Sequence, residues 1–277
     1  MRSWDGKVVT ITGAASGIGR ALAVTAANRG ALVAISDIDE AGLATTEQAV
    51  IAAAGGADRV HSQRLDVSDA AAFTAYAATV EAHYGRLNVL INNAGVSLTG
   101  DLVELSLDDI AWIIGINLGG VIHGTRAFLP RLIASGDGQL VNISSLFGLI
   151  SMPGQSVYNA TKYAVRGLTE SVRQEMLIAG HPVAVTCVHP GGVRTGIARN
   201  GRVGRATSHA DMVEFFDRHM ARLSPEDAAH AIVKGVLAGK PRVLVGADAH
   251  LLHQAARLGG ARYQDAIALI SRRRRGP

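Results

Sequence analysis

The tightest constraint on this chain lies near its start, where a short apolar strand runs into a glycine turn and then a helix. Lys7-Val8-Val9-Thr10-Ile11-Thr12 is apolar and β-branched, the mark of a strand buried in a parallel sheet. Gly13-Ala14-Ala15-Ser16-Gly17-Ile18-Gly19 follows at once, and Arg20-Ala21-Leu22-Ala23-Val24 opens a helical pattern. Glycines there let the backbone turn tightly and approach a pyrophosphate, while the helix N-terminus offers unpaired N–H groups and a partial positive charge. The spacing is G-x-x-x-G-x-G rather than G-x-G-x-x-G, and as a bare pattern it also fits a plain flexible turn. Its placement between strand and helix favours a dinucleotide site.

A second strand, Ala31-Leu32-Val33-Ala34-Ile35-Ser36, ends at Asp37. An acidic side chain there can accept hydrogen bonds from both adenosine ribose hydroxyls and would repel a 2′-phosphate. No lysine or arginine lies in the glycine turn before Arg20 or directly after Asp37, which favours NAD over NADP. Asp37 or Asp39 can equally serve as N-cap of a helix over 40–54. The alternation continues: a strand near 59–65, a helix over 69–83 capped by Ser68, a strand over 87–92, and a helix opened by Ser106 with Asp109 in a capping-box-like arrangement. A long helix over 109–134, a strand over 139–144, a helix over 156–179 and a strand over 183–188 complete the pattern. Such alternation implies right-handed βαβ units in a parallel sheet.

Within the helix at 156–179, Tyr158 and Lys162 stand four residues apart, one turn apart on the same face. An ammonium there would stabilise a phenolate and lower a pKa that is ordinarily about 10. A phenol so tuned can exchange a proton with an alcohol oxygen. Taken alone, the pair also fits an ordinary surface contact.

Thr12–Gly19, Asn92-Asn93-Ala94-Gly95, Asn117, Ser145, Tyr158, Lys162 and Pro190-Gly191 occur in this order. In that set the chain resembles the one-domain branch of the short-chain dehydrogenase/reductase family from about residue 4 to 200. The resemblance implies a Rossmann-type, doubly wound parallel α/β sheet, a nicotinamide cofactor and interconversion of an alcohol and a carbonyl. It implies Tyr158 as acid/base and Lys162 as the group that lowers its pKa and binds the nicotinamide ribose. Ser145, rather than Ser144, would hold and polarise the carbonyl, and Asn117 would hold a water linking Lys162 to solvent. Cofactor contacts implied are Gly13, Ser16, Gly17, Ile18, Gly19, Asp37, Asp66, Val67, Asn93, Ala94, Gly95, Tyr158, Lys162, Pro190, Gly191, Val193 and Thr195. Asp66 would meet the adenine amino group and Thr195 the carboxamide. His189 receives no catalytic task.

Composition is compatible with this. At 277 residues, with 48% hydrophobic and 18% charged, the chain can bury a sheet covered on both faces as a single domain. The lone Cys187 cannot form an internal disulfide and reads as a core residue. No Cys/His spacing suggests zinc, and no catalytic metal is expected. No apolar run reaches membrane-spanning length and no signal-peptide core follows Met1, so a cytoplasmic protein without stable membrane insertion is expected. Much of the net charge of +4 comes from Arg272-Arg273-Arg274-Arg275. That run can touch nucleic acid or an anionic membrane, but a solvated tail is the plainer expectation, and nucleic acid is not expected as a partner.

Residues 1–246 are expected to form the dehydrogenase domain. Within it, 196–223 carries Met212, Phe215, Phe216 and Met220 at helical spacing as a substrate lid. Ser224-Pro225 marks another helix start. Residues 247–277 form a C-terminal helical extension with a basic end, in place of the short tail that helps build the family's usual tetramer. A homodimer through 109–134 and 156–179 is expected, with a homotetramer the alternative. Ser145, Phe147, Met152, Gln155 and Tyr158 would line a mostly apolar pocket with no cation poised for an anion, hence a neutral, hydrophobic secondary alcohol or its ketone. A regulatory cofactor-binding protein and a non-redox reaction on the same scaffold are the competing readings. The intact Ser145, Tyr158 and Lys162 set speaks against the first.

Overall fold

Five consecutive residues buried on both sides, Val8–Thr12, need backbone partners on both edges, and this requirement sets the sheet. The computed structural model describes residues 1–275, with side chains through 272. The chain runs β1 (Val8–Thr12), α1 (Gly17–Ala27), β2 (Leu32–Asp37), α2 (Glu40–Ala54), β3 (Val60–Arg64), α3 (Ala70–Tyr84) and β4 (Val89–Asn92). It continues through β5 (Leu98–Thr99), α4 (Leu107–Ile114), α5 (Gly120–Ala134), β6 (Gly138–Ile143), α6 (Ser156–Ile178), β7 (Val183–Pro190) and β8 (Arg202–Val203). Last come α7 (His209–Phe215), α8 (Pro225–Leu237), β9 (Arg242–Val245), α9 (Ala247–Gly259) and α10 (Tyr263–Arg275).

Seven strands form one parallel sheet in the order β3-β2-β1-β4-β6-β7-β9. Val9 pairs with Val33 on one side and Val89 on the other. Strand order reverses between β1 and β4, so their C-terminal ends open a crevice between diverging connections, the usual ligand position in such sheets. One face packs Leu22, Val33, Ile232 and Val236 beneath α1 and α8. The other packs Phe73, Tyr76, Phe128 and Leu132 beneath α3 and α5, with Phe73 and Phe128 edge to face at 6.2 Å. Trp4, fully buried, donates its indole N–H to Gln139 Oε1 at 2.8 Å and ties the chain start to β6. Three other buried polar side chains are linked in series from the sheet to α6: Asn92 Nδ2 donates to Asn142 Oδ1 at 2.9 Å, and Asn142 Nδ2 to Thr169 Oγ1 at 3.0 Å. The doubly wound parallel architecture is as expected.

Local differences have physical causes. Ser68 does not cap α3: its hydroxyl and N–H both donate to Asp66 Oδ1, at 2.7 and 2.9 Å. Asp69 is the cap, accepting from Ala71 and Ala72 N–H at 2.8 and 3.0 Å. A carboxylate with two acceptor oxygens displaces a neighbouring hydroxyl already taken. The long helix expected over 109–134 starts at Leu107 and is interrupted by a π-helical turn over Gly115–Gly119, where Gly120 N–H reaches back to Gly115 O. The lid helix is short, α7 followed by a second π turn over Phe216–Met220. Ser106 and Ser224 do cap their helices, accepting from Asp109 and Asp227 N–H at 3.0 Å each. No helix among the described residues is long and apolar enough to cross a membrane. α10 runs to Arg275, but the side chains of Arg273, Arg274 and Arg275, and the expectation of a solvated basic tail resting on them, lie outside the described residues.

The reassigned cap is directly measurable. Asp69→Ala should cost about 1 kcal/mol in equilibrium urea unfolding, and Ser68→Ala only a few tenths. The reverse ranking would restore Ser68 as the cap.

Candidate active site

The loops after β1, β4, β6 and β7 meet at the C-terminal edge of the sheet around a cavity of about 650 Å³. In the first of them, Thr12 Oγ1 accepts the N–H groups of Asn93 and Ala94 at 3.1 and 3.2 Å. Asn93 Nδ2 returns hydrogen bonds to the carbonyls of Thr12 and Gly13, both at 3.0 Å. The turns after β1 and β4 are thereby laced together. A Cβ on Gly19 would fall 2.0 Å from Gly13 O, so only glycine lets α1 start this close to the strand. Ser16 precedes α1 in an extended conformation and makes no side-chain capping bond, which leaves the first turn of the helix open to the cavity.

The two aspartates after β2 divide their tasks. Asp39 caps α2 through Gly42 N–H at 3.1 Å. Asp37 accepts Ala15 N–H at 2.8 Å and Asp39 N–H at 3.1 Å, and its carboxylate lines the cavity. The nearest cations are occupied. Arg20 donates to Ala15 O and, at 2.8 Å, to Thr46 Oγ1, while Arg64 pairs with Glu40 at 3.2 Å. Asp66, Val67, Ala94, Gly95, Pro190, Gly191, Val193 and Thr195 all line the same space.

The other half of the cavity holds Ser145, Tyr158 and Lys162. The two serines after β6 differ in kind. Ser144 is buried and donates to Lys162 O at 2.8 Å, whereas Ser145 Oγ accepts Phe147 N–H at 3.1 Å and also hydrogen-bonds Tyr158. Lys162 is buried and donates from Nζ to Ile143 O at 3.2 Å, with Nζ 5.6 Å from the Tyr158 ring centroid. Desolvation draws its ammonium down to about 8. The Tyr158 phenol differs from the expectation of a lowered pKa. Burial raises it above the ordinary value, and the Ser145 hydrogen bond offsets this only in part. The protein alone thus keeps the phenol protonated.

Asn117, within the π turn, is the one proposed site residue that does not line the cavity. Its amide grips the β4 loop: Oδ1 accepts Val96 N–H at 2.8 Å and Nδ2 donates to Val96 O at 2.9 Å. His189 is buried, with Nδ1 2.8 Å from Ser145 O, and burial pulls its imidazole down to about 4.

On the substrate side, Phe147 meets Tyr158 edge to face at 6.1 Å, and Met152 and Gln155 line the wall. Gln155 Nε2 is committed to Thr99 Oγ1 at 2.7 Å. The lid side chains Met212, Phe215, Phe216 and Met220 close the far side. Ile197, at the start of the expected lid, also lines the space, as do Trp112 and Thr99, which were not legible as site residues. Thr99 lies in β5, whose two-residue pairing with β8 leaves no periodic signal, and Trp112 comes from α4. Arg202 lies over Trp112 at 4.0 Å and pairs with Asp109 at 2.8 Å, so its charge is already matched.

Comparison with known proteins agrees with this geometry. The family model described as short chain dehydrogenase matches residues 7–205. The oxidoreductase SadH of Mycobacterium tuberculosis is 52% identical over 97% of this chain and 96% of its own. A C alpha-dehydrogenase of Sphingobium sp. is 34% identical over 85% of this chain and 79% of its own. A short chain dehydrogenase/reductase from Burkholderia phymatum, solved with NAD, superposes with a TM-score of 0.86 at 32% identity, covering 94% of this chain and 95% of that one. The chain belongs to the short chain dehydrogenase family, oxidoreductases that bind a nicotinamide cofactor.

Proposed function

We propose that this protein interconverts a neutral, hydrophobic secondary alcohol and its ketone, with NAD(H) preferred over NADP(H). The observation that carries the reading is that Ser145 and the buried Tyr158 and Lys162 line the same cavity as the glycine turn and Asp37. The residues fit a dinucleotide: open amides at the start of α1, a glycine at residue 19 where any Cβ would clash, and a carboxylate at the end of β2. When bound, the nicotinamide supplies or accepts the hydride.

The protein's own part is proton transfer and positioning. Ser145 would donate to the carbonyl oxygen and stabilise the negative charge that develops there. Tyr158 would pass its proton to that oxygen during reduction and take it back during oxidation. Burial draws the Lys162 ammonium down to about 8 and holds the Tyr158 phenol protonated, so the proton released near 8 in the protein alone is that of Lys162. Lys162 would also hold the nicotinamide ribose, Asp37 the adenosine ribose and Asp66 the adenine amino group. The apolar wall of Phe147, Met152, Trp112 and Ile197, with Arg202 engaged elsewhere, supports a neutral substrate. The name of the C alpha-dehydrogenase and the NAD held by the Burkholderia protein point the same way. Exposed Leu107, Ile114, Ile122, Leu177 and Ile178 on α4–α6 support a homodimer through these helices, to be read from sedimentation.

Tyr158→Phe should lower turnover of an alcohol by about a hundredfold or more while NADH still binds. Full turnover in that variant would remove the acid/base assignment. In titrations followed by nicotinamide fluorescence, NADH should bind at least about tenfold more tightly than NADPH, and Asp37→Ala should erase the difference. Tighter NADPH binding by the wild type would contradict the role given to Asp37. The pH dependence has a defined sign. Reduction needs the Tyr158 proton and oxidation needs it gone. Oxidation should therefore rise with pH, along a limb that the Lys162 ammonium and bound NAD would hold below the ordinary phenol value of about 10, and reduction should fall. In Lys162→Met the oxidation limb should move above about 10, where a buried phenol alone ionises. An unmoved limb would show that Lys162 does not set the acidity.

A further inference from the structure

The C-terminal helices reach the site at two points. Asp248, in the first turn of α9, accepts Gly192 N–H through Oδ2 at 2.7 Å. The preceding amide, Gly191 N–H, donates to Val245 O at 2.8 Å. A Cβ on Gly191 would fall 2.2 Å from Asp248 Oδ1, so the carboxylate is seated directly on the glycine pair. From the other side, Gly192 O accepts the N–H groups of Arg222 and Leu223, both at 3.1 Å, at the end of the lid. Gly192 is thus the joint between the lid and the extension.

The second contact is on the loop that carries the serine. Tyr263, at the start of α10, accepts Ser151 N–H on its hydroxyl at 3.0 Å. Ala249, Ala256 and Tyr263 pack with Leu146 and Ile150 in one apolar cluster, and Leu146 directly follows Ser145. The inward side of α9 is Ala249, His253 and Ala256, while Leu251 and Leu258 point outward at 71% and 89% exposure. Little apolar area therefore holds α9 in place. Its position depends on directional bonds, those of Asp248 and Tyr263.

We propose that the C-terminal extension is an intramolecular clamp in which Asp248 and Tyr263 are positioning residues. Asp248 fixes the loop Pro190–Thr195 on the cofactor side, and Tyr263 fixes the loop Ser145–Ser151 on the substrate side. The catalytic consequence rests on the function proposed above, whereas the positioning itself does not.

The variants are Asp248→Ala, Asp248→Asn, which keeps an accepting oxygen, and Tyr263→Phe, with circular dichroism and thermal melting to verify folding. Hydrogen–deuterium exchange on the free protein reads the clamp without cofactor or turnover. Asp248→Ala should speed exchange at Gly192 by about tenfold, Asp248→Asn should stay near wild type, and Tyr263→Phe should speed exchange at Ser151 alone. In kinetics, Asp248→Ala should raise KM for NAD by about tenfold with a smaller change in kcat, and Tyr263→Phe should raise KM for the alcohol but not for NAD. Wild-type exchange at Gly192 in Asp248→Ala, or variants that change only the melting temperature, would overturn the clamp. A wild-type protein that binds no nicotinamide would instead overturn the proposed function, with the exchange result still deciding the clamp.

Discussion

A single buried ammonium governs the site. Lys162 lies beneath the loop after β6 with Ile143 O as its hydrogen-bond acceptor, and no ion pair with a carboxylate is formed among the described residues. A cation in that position is costly, and the protein relieves the cost by letting the group release its proton at about 8 instead of near the ordinary lysine value. The same burial that weakens the ammonium holds the Tyr158 phenol protonated. The phenol is thereby kept in the acid form that reduction of a carbonyl needs.

The sheet supplies the place. Because strand order reverses between β1 and β4, the C-terminal ends of these strands present two turns side by side, and Thr12 and Asn93 tie them together. β6 and β7 bring Ser145 and Pro190-Gly191 to the same edge. Asn117 then locks the β4 loop from below by pairing both Val96 backbone groups. A π turn places an amide there that a regular helix would carry elsewhere.

Much of this was legible from residue order, because the signals are local. A β-branched run before glycines, an aspartate after a strand, and serine before Leu-Asp-Asp or Pro-Glu-Asp each state their structure within a few residues. The choice of Ser145 over Ser144 comes with the family resemblance; in the structure Ser144 turns to Lys162 O, whereas Ser145 lines the cavity. What escaped depends on competition or distance. Ser68 and Asp69 are both good caps, and only the prior engagement of Ser68 with Asp66 decides between them. Thr99, in the two-residue strand β5, and Trp112, on α4, become wall residues only when distant segments fold together. Asp248 and Tyr263 sit in helices whose pattern announces an extension but not what it touches. The raised phenol of Tyr158 is a matter of desolvation, which no spacing encodes.

The most direct test of the central claim is the tyrosinate absorbance of Tyr158, read as wild type minus Tyr158→Phe. It would be taken at a pH between the Lys162 value of about 8 and the ordinary phenol value of about 10. No tyrosinate signal is expected in the protein alone, where burial keeps the phenol neutral, and a signal is expected once NAD is added. A signal of equal size with and without NAD, or none in either state, would contradict that claim.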